Sequence, residues 1–324
     1  MNPVTHPPHP PPQRVALFGE CMLELQGQAF GTLHQGYGGD TLNTAVYLAR
    51  CGAGAGIRVH YATALGDDPL STGLLQRWAA EGLELSLVRR IAGRLPGLYL
   101  IDVDARGERS FSYWRDSSAA KAYFEAGCET VPTPLEQRQA EWDALYLSGI
   151  SLAILPPAGR ERLFALMQAL RERGAAVVFD NNYRPRLWPD AAEARRCYAR
   201  AFELATLALV TADDHQALLG LAHPDEAVAA AQALPAAELV IKRGAAATLV
   251  HTAGGDWQQA GTEAVPQVVD TTAAGDAFAA GYMSRRLAGA TALAAATFGN
   301  RLAARVIQHR GALIAPELMA DLLR

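Results

Sequence analysis

Short runs of apolar residues recur along this chain, each followed by a stretch with helical periodicity, and that alternation restricts the fold more than any other feature. The first run, Val15-Ala16-Leu17-Phe18 within residues 14–20, stops at Gly19. Others lie at 144–148, 176–179, 207–210 and 239–241, with helical patterns between them at 160–173 and 191–204. A strand that is apolar at nearly every position is buried on both faces, which requires helices above and below the sheet. The expectation is an α/β protein of three layers, α–β–α, around a mainly parallel sheet. The pattern dominates from about residue 120 to the end of the 324-residue chain.

Between about residues 20 and 120 the pattern is less regular, and its clearest element is a hairpin. Segments 97–104 and 108–115 flank Ala105-Arg106-Gly107, a three-residue loop with glycine where a left-handed conformation is wanted. That loop sets Tyr99 opposite Tyr113, on one face with Phe111, Arg109 and Arg115. Phenols and guanidinium groups make a poor core face. The hairpin therefore reads as the underside of a small β-sheet lid over a polar ligand, with a solvated edge hairpin as the alternative. Residues 14–324 are expected to form one domain, with lid elements within about 20–45 and 88–118.

Charge and composition narrow the partners. With 29 Lys and Arg against 33 Asp and Glu the net charge is −4, and no basic run could track a phosphate backbone, so nucleic acid is not expected. Cys21, Cys51, Cys128 and Cys197 are scattered without a CxxC pair, which argues against a zinc site or a disulfide framework and suits a reducing cytosol. Residues 1–13, rich in Pro and His, read as a disordered tail; His6 and His9 as metal ligands are the alternative. No apolar run reaches the roughly 20 residues of a membrane span, so no membrane partner and a cytoplasmic location are expected. The absence of GxxxxGK[ST] excludes a P-loop kinase, and the absence of GxGxxG after the first strand argues against a dinucleotide oxidoreductase.

The chemistry concentrates in Asp270-Thr271-Thr272-Ala273-Ala274-Gly275-Asp276-Ala277-Phe278. Small residues at 273–275 let backbone N–H groups approach a ligand closely. The helical pattern of Phe278, Tyr282, Met283 and Arg286 begins at the same place, so free N–H groups and the helix dipole combine into an anion site. Asp276 puts a carboxylate beside it. It reads either as an ordinary first-turn acid or as the general base for a hydroxyl attacking a γ-phosphoryl group.

The stretch DTTAAGDAFAAGY resembles the C-terminal signature of the ribokinase-like sugar kinases, the phosphofructokinase-B family, in which DTxGAGD supplies an anion hole and a catalytic Asp. Gly38-Gly39-Asp40-Thr41-Leu42-Asn43-Thr44-Ala45 is similar to the segment with which that family holds sugar hydroxyls. The resemblance runs from about residue 14 to the end, and implies a ribokinase-like fold using ATP and Mg²⁺. Residues 19–25 (GECMLEL), 95–99 (LPGLY), 113–115 (YWR), 147–150 (LSGI) and 180–188 (DNNYRPRLW) resemble the branch that phosphorylates 2-keto-3-deoxygluconate. It implies Asp276, with Ala273, Ala274 and Gly275, as the catalytic group. By the same resemblance Gly38, Gly39, Asn43, Tyr99, Tyr113, Arg115 and Arg184 line the substrate pocket, with Trp114 beside them. Asn182, Lys242, Gly244 and Asn300 fall on the nucleotide side. Arginines suit the carboxylate of a small acidic sugar, because the guanidinium fork matches it bidentately. Arg184 follows an apolar run and so lies beyond the carboxyl end of a strand, where open α/β sheets bind ligands.

Two departures from the family pattern stand out. Ala273 replaces a glycine, and Thr211-Ala212-Asp213-Asp214 replaces an NxxE segment, leaving Asp213 or Asp214 as carboxylates for Mg²⁺. The expected reaction is transfer of the γ-phosphoryl group to O6, with Asp276 as base, N–H groups of 273–276 as anion hole, and the lid closed over the sugar. A kinase of fructose, ribose or a related sugar is one alternative, and a non-catalytic sugar sensor another. Asp276 speaks against the sensor, and Arg115 and Arg184 speak for an acid. A homodimer through the lid is also expected, because an exposed lid sheet offers a pairing surface.

Overall fold

The computed structural model describes residues 13–28, 30–103, 109–125 and 131–323. The proposed tail, apart from Gln13, and the hairpin loop at Ala105-Arg106-Gly107 lie outside these residues, as do Cys128 and the Arg109 side chain. In chain order the strands are β1 (Arg14–Phe18), β2 (Met22–Gly27), β3 (Leu33–Gly38), β4 (Arg58–Ala62), β5 (Ala64–Leu65), β6 (Arg89–Arg90) and β7 (Gly97–Val103). They continue with β8 (Arg109–Trp114), β9 (Ala144–Ser148), β10 (Ala176–Asp180), β11 (Leu207–Thr211), β12 (Glu238–Arg243), β13 (Ala246–Thr252) and β14 (Gln258–Ala260).

The main sheet has the order β14-β13-β12-β11-β10-β9-β1-β4. Neighbours from β4 to β12 run parallel, as the alternation of runs and helices predicts. β13 turns back antiparallel through a tight connection in which Gly244 takes a left-handed φ of 58°. Side chains leave the sheet alternately on two sides. Phe18, Leu147, Phe179 and Val210 pack with the helices Pro157–Glu172 and Ala191–Leu204. Leu17, Tyr146, Val178 and Leu209 pack with Asp40–Gly52, Ala274–Leu287 and Ala292–Val306 on the other side. Each such buried aliphatic or aromatic side chain contributes about 1.5–3 kcal/mol by leaving water, and the three-layer α/β architecture follows.

A smaller four-stranded sheet, β3-β2-β7-β8, stands at one edge of the site. Its β7–β8 pair has the register read from the sequence, with Tyr99 opposite Tyr113 and Ile101 opposite Phe111. The small sheet ends at Gly38 and Trp114, and residues from Asp40 onward belong to a helix of the main body. Gly39 marks the crossing point. A side chain there would come within 2.1 Å of the Glu20 carbonyl oxygen, so only glycine allows the two chain crossings to meet.

Candidate active site

Parallel strands bring their carboxyl ends to one edge of the sheet, where residues distant in sequence gather. Register places Asp180 beside Ser148 and Leu209, and Thr211 beside Lys242. The buried Asn181 fixes this edge. Its side chain accepts from the Thr211 N–H at 2.9 Å and donates to the Thr211 carbonyl at 3.0 Å. A cleft of about 500 Å³ opens between these strand ends, two helix N-termini and the small sheet.

One N-terminus is the Ala274–Leu287 helix. Asp270 organises its entry, accepting from the Thr272 N–H at 3.0 Å and hydroxyl at 2.6 Å, and from the Gly311 N–H at 3.1 Å. Ala273 then takes a left-handed φ of 62°, the backbone a glycine would supply freely. The Ala274 N–H donates to the Thr271 carbonyl at 3.2 Å. The donors that a helix start leaves without an acceptor in the helix are then those of Gly275 and Asp276. Lys242 reaches the same turn, its Nζ lying 3.6 Å from where a side chain on Gly275 would begin.

Asp276 lies in the first turn of this helix, half-buried on the cleft floor. Its Oδ2 accepts from Asn43 Nδ2 at 2.9 Å. Asn43 comes from the second helix N-terminus, Asp40–Gly52, and its Oδ1 is buried with no donor among the described residues. Asp40, in the first turn of that helix, accepts from Asn182 Nδ2 at 2.7 Å. Asn182 also has a positive φ, 24°. Two cations complete the floor: Lys242 is paired with Asp180 at 2.8 Å, and Arg184 lies 3.2 Å from both oxygens of Asp214. Burial, reinforced by the Asp40 and Asp180 carboxylates, pushes Asp276 up to about 8, against the opposing pull of Asn43 and Lys242. Asp40 is raised as well, chiefly by burial.

The small sheet forms the opposite wall with Tyr99, Phe111 and Tyr113. The Tyr99 and Tyr113 rings stack with centroids 5.9 Å apart, and the Tyr99 hydroxyl donates to Glu24. Gly38 and Gly39 lie beneath them, where a side chain on Gly38 would sit 3.3 Å from that hydroxyl.

The structure thus gathers Gly38, Gly39, Asn43, Tyr99, Tyr113, Asn182, Arg184, Asp214, Lys242 and the turn Ala273–Asp276 around one cleft. It places other candidates elsewhere. Arg115 lies just beyond the end of β8 and turns into the body, where it is ion-paired with the buried Glu20. A carboxylate that is 2% exposed requires such a counter-charge. Trp114 points away from the cleft and is 59% exposed. Asn300 accepts from Thr248 at 3.0 Å and donates to the carbonyls of Ala260 and Gly261, tying its helix to the sheet edge. Gly244 forms the β12–β13 turn, and Asp213 faces solvent. Asp40 and Asp180, which sequence reasoning did not single out, stand on the cleft floor. An acid closing an apolar run at a parallel strand's carboxyl end was the available signal for Asp180. For Asp40 the signal was ambiguous, since an acid in a first helical turn is ordinary.

The family model for pfkB family carbohydrate kinases matches residues 12–318. The chain belongs to the pfkB family of carbohydrate kinases. This pfkB family member is 44% identical over 309 residues to the 2-dehydro-3-deoxygluconokinase of Escherichia coli (strain K12), a match covering 95% of this chain and 99% of the relative. It is 45% identical over 310 residues to the protein of the same name from Dickeya dadantii (strain 3937), covering 95% and 98%. Among solved structures, aminoimidazole riboside kinase from Salmonella enterica, complexed with aminoimidazole riboside and an ATP analog, matches with a TM-score of 0.78 at 26% identity. That match covers 96% of this chain and 99% of the other. The pfkB kinase accordingly has the ribokinase-like fold, with its large mixed sheet and small accessory sheet.

Proposed function

We propose that this sugar kinase phosphorylates 2-keto-3-deoxygluconate at O6 with ATP, using Asp276 as general base. The observation that carries the reading is the Asp276 carboxylate on the cleft floor, in the helix start that offers the Gly275 and Asp276 N–H groups. Its raised proton affinity suits a base working near neutral pH. The substrate class is supported by the two full-length relatives at 44% and 45% identity. In this reading the hydroxyl oxygen forms a bond to the γ-phosphorus while the bond to the β–γ bridging oxygen breaks. The proton passes to Asp276, and ADP leaves.

Other residues of the chain bind and orient. Asn43 Oδ1, a buried acceptor without a donor among the described residues, is suited to a sugar hydroxyl. The stacked Tyr99 and Tyr113 close the cleft from the lid side and exclude water. Arg184, half-exposed at the cleft wall, is the guanidinium placed to meet a substrate carboxylate. Lys242 and the N–H groups of Gly275 and Asp276 stabilise charge on the transferring phosphoryl group. Among the described residues no cluster of three or more His, Cys, Asp or Glu is arranged for a metal ion. A Mg²⁺ would be held from the protein side by the Asp214 carboxylate at the cleft wall. When bound, such an ion supplies neutralisation of phosphate charge.

Replacing Asp276 by Asn keeps the shape and removes the base. We expect kcat to fall about 10²–10⁴-fold with little change in the Kd of either substrate. A variant with wild-type kcat would overturn the assignment.

A further inference from the structure

The charges on the cleft floor do not pair off. Four carboxylates, Asp40, Asp180, Asp214 and Asp276, face it together with two cations, Lys242 and Arg184. Lys242 is engaged by Asp180 at 2.8 Å, and Arg184 by Asp214 at 3.2 Å. Among the described residues, Asp40 and Asp276 are left with no ion-pair partner. Each is held by a neutral amide instead, Asp40 by Asn182 at 2.7 Å and Asp276 by Asn43 at 2.9 Å. Asp40 and Asn43 lie three positions apart in one first turn, so the helix that presents the amide to Asp276 also presents Asp40. The helices carrying the two acids pack against each other with their N-termini at the same cleft. A helix N-terminus offers only about half a positive charge, too little to cancel two carboxylates that share a site.

We infer that Asp40 is a positioning residue for the phosphoryl transfer: its negative charge, held in place by Asn182, strengthens Asp276 as a proton acceptor. The inference rests on the reading of Asp276 as the base. A carboxylate with its ordinary proton affinity is a poor acceptor for an alcohol proton, and a like charge beside it raises the drive for that step. The remaining groups facing Asp276 are Asp180 and Lys242 from the strand ends, Arg184 from the loop after β10, and the phenols of Tyr47 and Tyr146. Of these, Asp180 and Arg184 are already paired, Lys242 acts in the opposite direction, and the phenols are neutral at working pH. Asp40 is therefore the group whose removal changes the field at Asp276 most directly.

The test is the pH profile of kcat/KM for 2-keto-3-deoxygluconate at saturating ATP–Mg²⁺, in the wild type, Asp40→Asn and Asp40→Ser. Both variants are neutral at position 40, so both should move the acidic limb down by about 1 pH unit. Their kcat on the alkaline plateau should fall several-fold, because the base is weaker. If Asp40→Asn does not fold, Asp40→Ser carries the same test. An unmoved acidic limb with a raised KM would overturn the inference and make Asp40 a substrate ligand; unequal shifts in the two variants would overturn it too. Asp276→Asn separates this from the parent reading. If that variant is active, the base assignment fails; if it is inactive while the Asp40 variants leave the limb in place, only the role of Asp40 fails.

Discussion

Ala273 and Asn182 are non-glycine residues with left-handed backbone at the cleft, φ 62° and 24°. Such conformations cost about 1–2 kcal/mol each for an L-residue, and they cluster where a backbone must turn sharply towards a ligand. The sequence made Ala273 noticeable, because a small-residue run at a helix start implies close approach. It could not show that position 273 is the left-handed one. His215 illustrates a residue whose environment was not legible at all. It is buried with both ring nitrogens lacking partners among the described residues, its ring centroid 5.9 Å from that of Phe202, and burial lowers it to about 4. In the unfolded chain a histidine takes up its proton near 6.5. Between these values the unfolded state binds more protons, so stability is greatest above about pH 6.5 and falls as pH drops towards 4. The loss is on the order of 3 kcal/mol. Urea unfolding at pH 7.5 and 5 should show His215→Phe losing less stability on acidification than the wild type. Equal losses would show that His215 does not carry this pH dependence.

The β1–β2 connection and the end of β8 are two of the places where the chain passes between the small sheet and the body. Glu20 comes from the first and Arg115 from the second, so their buried ion pair joins the two connections where they leave the small sheet. Glu20→Gln leaves the guanidinium without its counter-charge in a site where its side chain is 10% exposed. We expect a loss of about 3 kcal/mol in denaturant unfolding, and faster proteolysis between β7 and β8 under native conditions. Unchanged stability would show that water already neutralises the pair. The β7–β8 hairpin was legible because a three-residue loop fixes register, and the pairing of Tyr99 with Tyr113 agrees. β2 and β3 gave no comparable signal. Their residues are mostly half-exposed or exposed, so neither a clean alternation nor a continuous apolar run marks them. Arg115 shows the limit of face arithmetic. The period of two ends with the strand at Trp114, and one residue later a buried carboxylate decides where the side chain goes.

At the scale of the molecule, the apolar runs predicted the order of layers well because a parallel strand buried on both faces has few other readings. The Ala144–Ser148 strand and the Ala191–Leu204 helix lie where the sequence puts them. β12 extends beyond its apolar core at 239–241 into Glu238, Lys242 and Arg243, because its charged ends still pair in the ladder. The site itself is assembled from distant segments. Asn43 and Asp276 meet across 233 positions, and Asp40 and Asn182 across 142. No local pattern encodes those meetings; the family resemblance implied Asn43, Asn182 and Asp276 as site residues, but not Asp40 and Asp180, which are ordinary in their local contexts. Among the described residues no helix is long and apolar enough to cross a membrane.

In the proposed function this cleft phosphorylates an acidic keto sugar with Asp276 as its base. The most direct measurement is ADP release with ATP–Mg²⁺ against a panel of 2-keto-3-deoxygluconate, fructose, ribose and a riboside, with the product ester located by phosphorus NMR. The highest kcat/KM is expected for 2-keto-3-deoxygluconate, with a phosphate on O6 and one ADP per ester formed. A higher kcat/KM for fructose, ribose or the riboside, or ADP release without an ester, would contradict it.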